Sequence, residues 1–192
     1  MTSVEAYEEG RTFTEFLEAA EASRDLWLAV TGRAALHEES VARITAVGGH
    51  WRLLVLADDW CGDAVNIVPV IARLAEAVPN VELRIRGREE APEVMDAHLT
   101  RGGRSIPVAI LLDEDGEERG WWGPRPRELQ DWFEKVGRGL AQSERYPQLR
   151  RWYARDRGVA ICREIADLVW CGANGAGERY QGTRPCKGAR AA

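Results

Sequence analysis

Cys61 is the residue in this chain whose type and position could support covalent chemistry. The loop Trp60-Cys61-Gly62-Asp63-Ala64 follows the apolar run Leu53-Leu54-Val55-Leu56-Ala57 and opens a segment with helical periodicity. At a helix start, unpaired backbone N–H groups and the helix dipole favour an anion. A thiolate is such an anion, and a favourable position of this kind takes a cysteine from a pKa of about 8.5 to as little as about 3.5. Three carboxylates, Asp58, Asp59 and Asp63, crowd the loop and oppose thiolate formation. Arg104 is the basic residue expected to offset part of that charge. Trp60 is expected to shield the thiol and to offer a contact surface. Asp63 is expected to face solvent in the first helical turn, where a carboxylate is favoured.

The other sulfurs are placed differently. Cys162 lies on an apolar helix-period face with Val159, Ile165 and Val169, so it reads as a core residue. Cys171 and Cys186 flank a glycine-rich tail, and either is a candidate distal partner for Cys61 if that tail folds back. Cys162, Cys171 and Cys186 lack the paired short spacings of a structural zinc site. His37, His50 and His98 are scattered, so no metal and no cofactor is expected.

The elements that must hold Cys61 can be read from hydrophobic period and punctuation. Thr12-Phe13-Thr14-Glu15 has the form of a capping box, and Phe13, Phe16, Leu17, Ala20 and Trp27 continue at helical spacing. A second helix carries Val41, Ile44 and Val47 and ends at Gly48-Gly49. Residues 53–57 read as a strand covered on both faces. A helix from Asp63 to about Ala77 follows, then a strand alternating Val81, Leu83 and Ile85 with charged residues. Residues 91–99 read as helix, and 107–112 as a buried strand. Asp115-Gly116 marks a hairpin turn into a strand over 117–122, and a helix over 127–136 follows. Residues 146–170 read as one long helix. The order predicts an α/β fold with a mixed sheet flanked by helices. The expected organisation is an N-terminal helical extension over 1–48, a central domain over 49–140, a packed C-terminal helix over 141–170 and a flexible tail over 171–192.

Composition narrows the class. Apolar residues make up 45% of the 192 positions and charged residues 30%, which is a globular balance rather than a disordered one. No run approaches the roughly 20 apolar residues of a membrane helix. The acidic start Met1-Thr2-Ser3-Val4-Glu5 resembles neither a secretory signal nor a transit peptide, so a cytoplasmic location is expected. A net charge of −5 without a basic cluster provides no footprint for nucleic acid or an anionic membrane. Basic residues that are almost all arginine, together with abundant alanine and glycine, suggest a GC-rich bacterial genome.

The ordered set of Trp60-Cys61-Gly62-Asp63-Ala64, Pro69, Ser105-Ile106-Pro107 and Asp115-Gly116 resembles the thioredoxin family. Asp63 and Trp122-Gly123-Pro124-Arg125-Pro126 further resemble a bacterial subgroup with a Cys-Gly-Asp-Cys loop. The resemblance implies a thioredoxin-like fold in which Cys61 is the nucleophile and Ile106-Pro107 is the cis-proline loop facing it. It implies that Trp60, Gly62, Asp63, Ile106 and Pro107 contact substrate, with Ile106 backbone groups holding an extended client strand. Two positions depart from the pattern. The second, resolving cysteine is Ala64, and Val55 replaces the buried acidic residue six positions before the nucleophile. The function implied is monothiol thiol-disulfide exchange in redox homeostasis. Its partner would be a client protein or a low-molecular-weight thiol disulfide, and an external thiol would complete the cycle. The alternatives are a non-catalytic binding module using a surface around Trp60, Trp121 and Trp122, or a dithiol oxidoreductase disarmed by an engineered Ala64.

Overall fold

The structure is a computed structural model that describes residues 1–175 and the two-residue strand Tyr180–Gln181. β1 (Trp51–Leu56) is an interior strand of the sheet, and alternate side chains enter two separate cores. Leu53 and Val55 point to one face, and Leu54 and Leu56 to the other; all four are essentially inaccessible to solvent. This double burial explains why the segment reads as an uninterrupted apolar run.

β1 pairs in parallel with β2 (Val81–Arg86), from Trp51 opposite Val81 to Leu56 opposite Arg86. Parallel neighbours require a crossover. The crossover is α5 (Ala64–Ala77), which carries Pro69 in its interior. On its other edge β1 pairs antiparallel with β3 (Val108–Leu112), which pairs antiparallel with β4 (Glu118–Trp122). The β3–β4 turn is closed by Asp113, whose Oδ1 accepts from the Asp115 and Glu117 N–H groups. β5 (Tyr180–Gln181) adds in parallel to β4, which gives the order β2-β1-β3-β4-β5.

Helices cover both faces. α5 and α9 (Val159–Ala173) build the larger core, closed by Trp27 from α3 (Arg24–Thr31) and Ile44 from α4 (Glu38–Val47). The opposite face takes Ala6 and Tyr7 of α1 (Ser3–Glu8) and Val94 and Met95 of α6 (Pro92–Ala97). α2 (Phe13–Ala19) brings Phe16 edge-on to Trp27, and α7 (Arg127–Lys135) and α8 (Gln142–Asp156) complete the chain of helices.

Three details differ from the sequence reading. The helix expected from residue 12 through Trp27 is two helices, because α2 stops at Ala19 and Ser23 takes a left-handed conformation before α3 begins. The long helix expected over 146–170 is also two. Arg157 and Gly158 both have positive φ between α8 and α9, and a Cβ on Gly158 would meet Val70 Cγ1 at 2.9 Å. The close packing of this corner on α5 therefore demands glycine. The tail assigned to 171–192 starts too early, since α9 continues to Ala173; residues 176–179 and 182–192 lie outside the described residues. No helix among the described residues is long and apolar enough to cross a membrane.

Candidate functional site

The loop after β1 holds Cys61 by its backbone. The Cys61 N–H donates to the Asp58 carbonyl at 3.1 Å, and the Cys61 carbonyl accepts from the Val65 N–H at 3.1 Å. Asp59 anchors the loop from outside: its Oδ2 accepts from the Glu21 and Ala22 N–H groups, each at 2.8 Å, and its carbonyl accepts from the Trp27 indole. The Ile106-Pro107 peptide is cis, and the Cys61 thiol donates to the Ile106 carbonyl at 3.5 Å. Gly123 seals this juncture, since with φ of 136° an added Cβ would meet the Pro107 carbonyl oxygen at 2.3 Å.

The protonation of Cys61 runs against the expectation from its place before a helix. Burial pushes the thiol above the ordinary cysteine range. The Ala64 and Asp63 N–H groups pull down, as does Arg125, and the Asp63 charge adds to the upward push. Desolvation of the charged form outweighs the helix terminus here.

Asp63 is the largest correction. It is 9% exposed rather than solvent-facing, and its carboxylate makes no capping bond to α5. One oxygen pairs with Arg125 Nη2 at 2.5 Å, and the other accepts from the Tyr153 hydroxyl at 2.8 Å. Arg125 follows the Gly123-Pro124 turn, where the peptide is again cis; it donates to Gln130 Oε1 at 3.0 Å and stands 4.0 Å over the Phe133 ring. Tyr153 comes from α8, and burial first, then the Asp63 charge, drive its phenol well above the ordinary tyrosine range. Asp63, Arg125 and Tyr153 thus form a charge-neutral, hydrogen-bonded base under Cys61.

Arg125 also replaces Arg104 as the cation beside the sulfur. Arg104 is engaged elsewhere, donating to Asp96 at 2.7 Å, Glu89 at 3.0 Å and the Pro92 carbonyl at 3.3 Å. Trp60 is 56% exposed, with the Arg88 guanidinium 5.2 Å from its ring. The wider tryptophan surface does not form: Trp122 is fully buried with its indole donating to Glu164, and Trp121 is half-buried, edge-on to His98. Burial raises the Asp58 carboxyl, which accepts from the Arg88 N–H.

Cys61 opens onto a groove of about 390 Å³. Trp60, Gly62 and Asn66 form one side, and Phe133, Arg145 and Tyr146 lie among the lining residues from α7 and α8. Ala64 is completely buried, as are Val55 and Cys162. Cys171 is 4% exposed in the larger core, and its neighbour Gly172 lies against Trp51 and Leu111. That is the far end of β1, about 17 Å of strand from the Cys61 end. The structure does not bring Cys171 to Cys61, and Cys186 lies outside the described residues. No cluster of three or more metal-ligating side chains occurs among the described residues.

Arg125 and Tyr153 are the functional neighbours that reading the residues did not assign. Arg125 stood within a quoted motif, yet nothing local says that it turns toward Asp63. Tyr153 shares a helical stripe with Leu149, and that pattern signals only packing.

Comparison with known proteins agrees with this architecture. The family profile described as Thioredoxin matches residues 10–138. Among solved structures, a protein of unknown function from Pseudomonas aeruginosa is 20% identical and superposes with a TM-score of 0.69, over 92% of this chain and 99% of that one. An HIV epitope-scaffold is 19% identical, with a TM-score of 0.66 over 89% of this chain and 97% of that one. At these identities the likeness is one of fold. No curated protein sequence matches.

Proposed function

We propose that this chain, which belongs to the thioredoxin family, is a thiol-disulfide exchange protein of monothiol type acting through Cys61. The observation that carries the reading is the pairing of a groove-lining sulfur with a sulfur-free neighbour. Cys61 lines an open groove, while Ala64, at the position of a resolving cysteine, is wholly buried and carries no thiol. Cys61 attacks a client disulfide, the client's second sulfur leaves as a thiolate, and a mixed disulfide remains. With no second thiol in the loop, release awaits an external thiol.

The rate consequence is large. A positioned resolving thiol acts at an effective concentration on the order of 10⁵ M or more, against roughly millimolar free thiol. Given a disulfide substrate, the protein is expected to accumulate a Cys61 adduct, seen by intact mass, and to turn over insulin reduction only with added small thiol. Ala64→Cys is expected to remove that requirement. Fast multiple turnover of the native chain without added thiol refutes the monothiol mechanism.

One observation favours a second reading, a non-catalytic binding module. The buried thiol is held protonated and donates to the Ile106 carbonyl, a resting state for a nucleophile. Absence of any Cys61 adduct under all conditions selects that reading.

A further inference from the structure

We infer that the groove between Cys61 and α8 is the binding site of a low-molecular-weight thiol bearing carboxylate groups, the reactant that regenerates Cys61. The inference rests on the exchange function proposed above and specifies its second substrate.

Charge carries the argument. The chain as a whole has a net charge of −5, yet the groove is lined by Arg125, Arg145 and Arg150, with Asp63 as its only acidic residue. Asp63 and Arg125 neutralise each other. Arg145 and Arg150 remain, and among the described residues neither has an acidic side chain within ion-pair distance. A cleft focuses the field of such a pair toward an anion. Arg145 is also held at the groove by aromatic neighbours. Its guanidinium lies 5.7 Å from the Phe133 ring centroid and 5.6 Å from the Tyr146 ring centroid, within cation–π reach of both, and its N–H donors suit a carboxylate. The aromatic and aliphatic lining from Trp60, Tyr146 and Leu149 suits a ligand with an apolar middle.

Size and position favour a small molecule over a client chain. About 390 Å³ falls in the range of small-molecule sites and suits a tripeptide. Ile106 and Pro107 are not part of this lining, although the Ile106 carbonyl meets the same sulfur. The two approaches to Cys61 are therefore separate, one along the cis-proline loop and one from α8.

The chemistry balances with two such thiols. The first, as its thiolate, attacks Cys61 Sγ of the client adduct; the client leaves as a thiolate and takes a proton, and a small-thiol adduct of Cys61 forms. The second attacks the small-thiol sulfur of that adduct, releasing the symmetrical disulfide and the Cys61 thiolate. Two electrons pass from two thiols to one client disulfide.

The test separates binding from exchange. S-methylglutathione, which carries two carboxylates and cannot exchange, is titrated into the full chain while tryptophan fluorescence is followed. Saturable binding is expected, about tenfold weaker for Arg145→Gln/Arg150→Gln, weakened by salt, and lost for the diester of the same molecule. In a second arm, a 2-mercaptoethanol adduct of Cys61 is released by glutathione or by its diester. The ratio of the two rates is expected to exceed fivefold in the native chain and to approach one in the double variant. Equal binding of acid and diester, or binding unchanged in the double variant, overturns the inference. So does an acidic peptide that binds more tightly than S-methylglutathione and displaces it. Normal binding with no Cys61 adduct ever formed would instead sink the exchange function and leave a carboxylate-binding groove.

Discussion

Removing the Arg125 cation should unsettle both the stability of the chain and the ionisation of Cys61, in directions that Asp63 substitution separates. Arg125 and Asp63 have side-chain exposures of 12% and 10%, so Arg125→Leu leaves a carboxylate buried with only the Tyr153 hydroxyl to stabilise it. Breaking a buried pair from one side costs about 3–5 kcal/mol. With a urea m-value of about 2 kcal/mol/M, the unfolding midpoint should fall by about 1.5–2.5 M. Cys61 supplies the second readout. Arg125 holds its thiol down and Asp63 pushes it up. Arg125→Leu should therefore raise the midpoint of Cys61 alkylation against pH, and Asp63→Asn should lower it, although both variants are less stable. The assay is urea unfolding followed by tryptophan fluorescence, with iodoacetamide labelling and peptide mapping across pH. A midpoint that moves the same way in both variants, or an Arg125→Leu stability loss under about 1 kcal/mol, would refute the coupled base beneath the sulfur.

Two further outcomes are expected. The Cys61 thiol is raised in the folded state, so it contributes stability that is complete below the unfolded thiol pKa of about 8.5 and is lost as pH rises through the higher folded value. Unfolding free energy should thus fall more steeply above about pH 8.5 for the native chain than for Cys61→Ser, and parallel curves would contradict the assignment. Gly123→Ala should lower the melting temperature by about 5–10 °C, since its Cβ meets the Pro107 carbonyl at 2.3 Å and its φ of 136° is strained for any side chain; calorimetry that finds no loss would place the two loops further apart than described.

The order of strands and helices was legible because each is set by local pattern. The apolar run at 53–57 has strand length and suited a strand covered on both faces, and the turn residues Gly48-Gly49 and Asp115-Gly116 ended elements where the chain reverses. The place of Cys61, at the exit of a strand and before a helix, followed from the same pattern. The two helix breaks were less visible. Hydrophobic periodicity runs across them, and a left-handed residue such as Arg157 has no compositional mark.

The ionisation and company of Cys61 lay beyond reach of the sequence. Helix-terminus reasoning gives the sign of one contribution, but the competing desolvation depends on how much protein closes over the sulfur. Asp63 looked like a surface carboxylate because its partners, Arg125 and Tyr153, stand 62 and 90 residues further along the chain. Local sequence thus determined which residues form the loop. Tertiary packing decided that α8 reaches it, that its carboxylate is buried and neutralised, and that arginines rather than acids line the way to the thiol, because burial and charge pairing arise between segments that sequence pattern treats as independent.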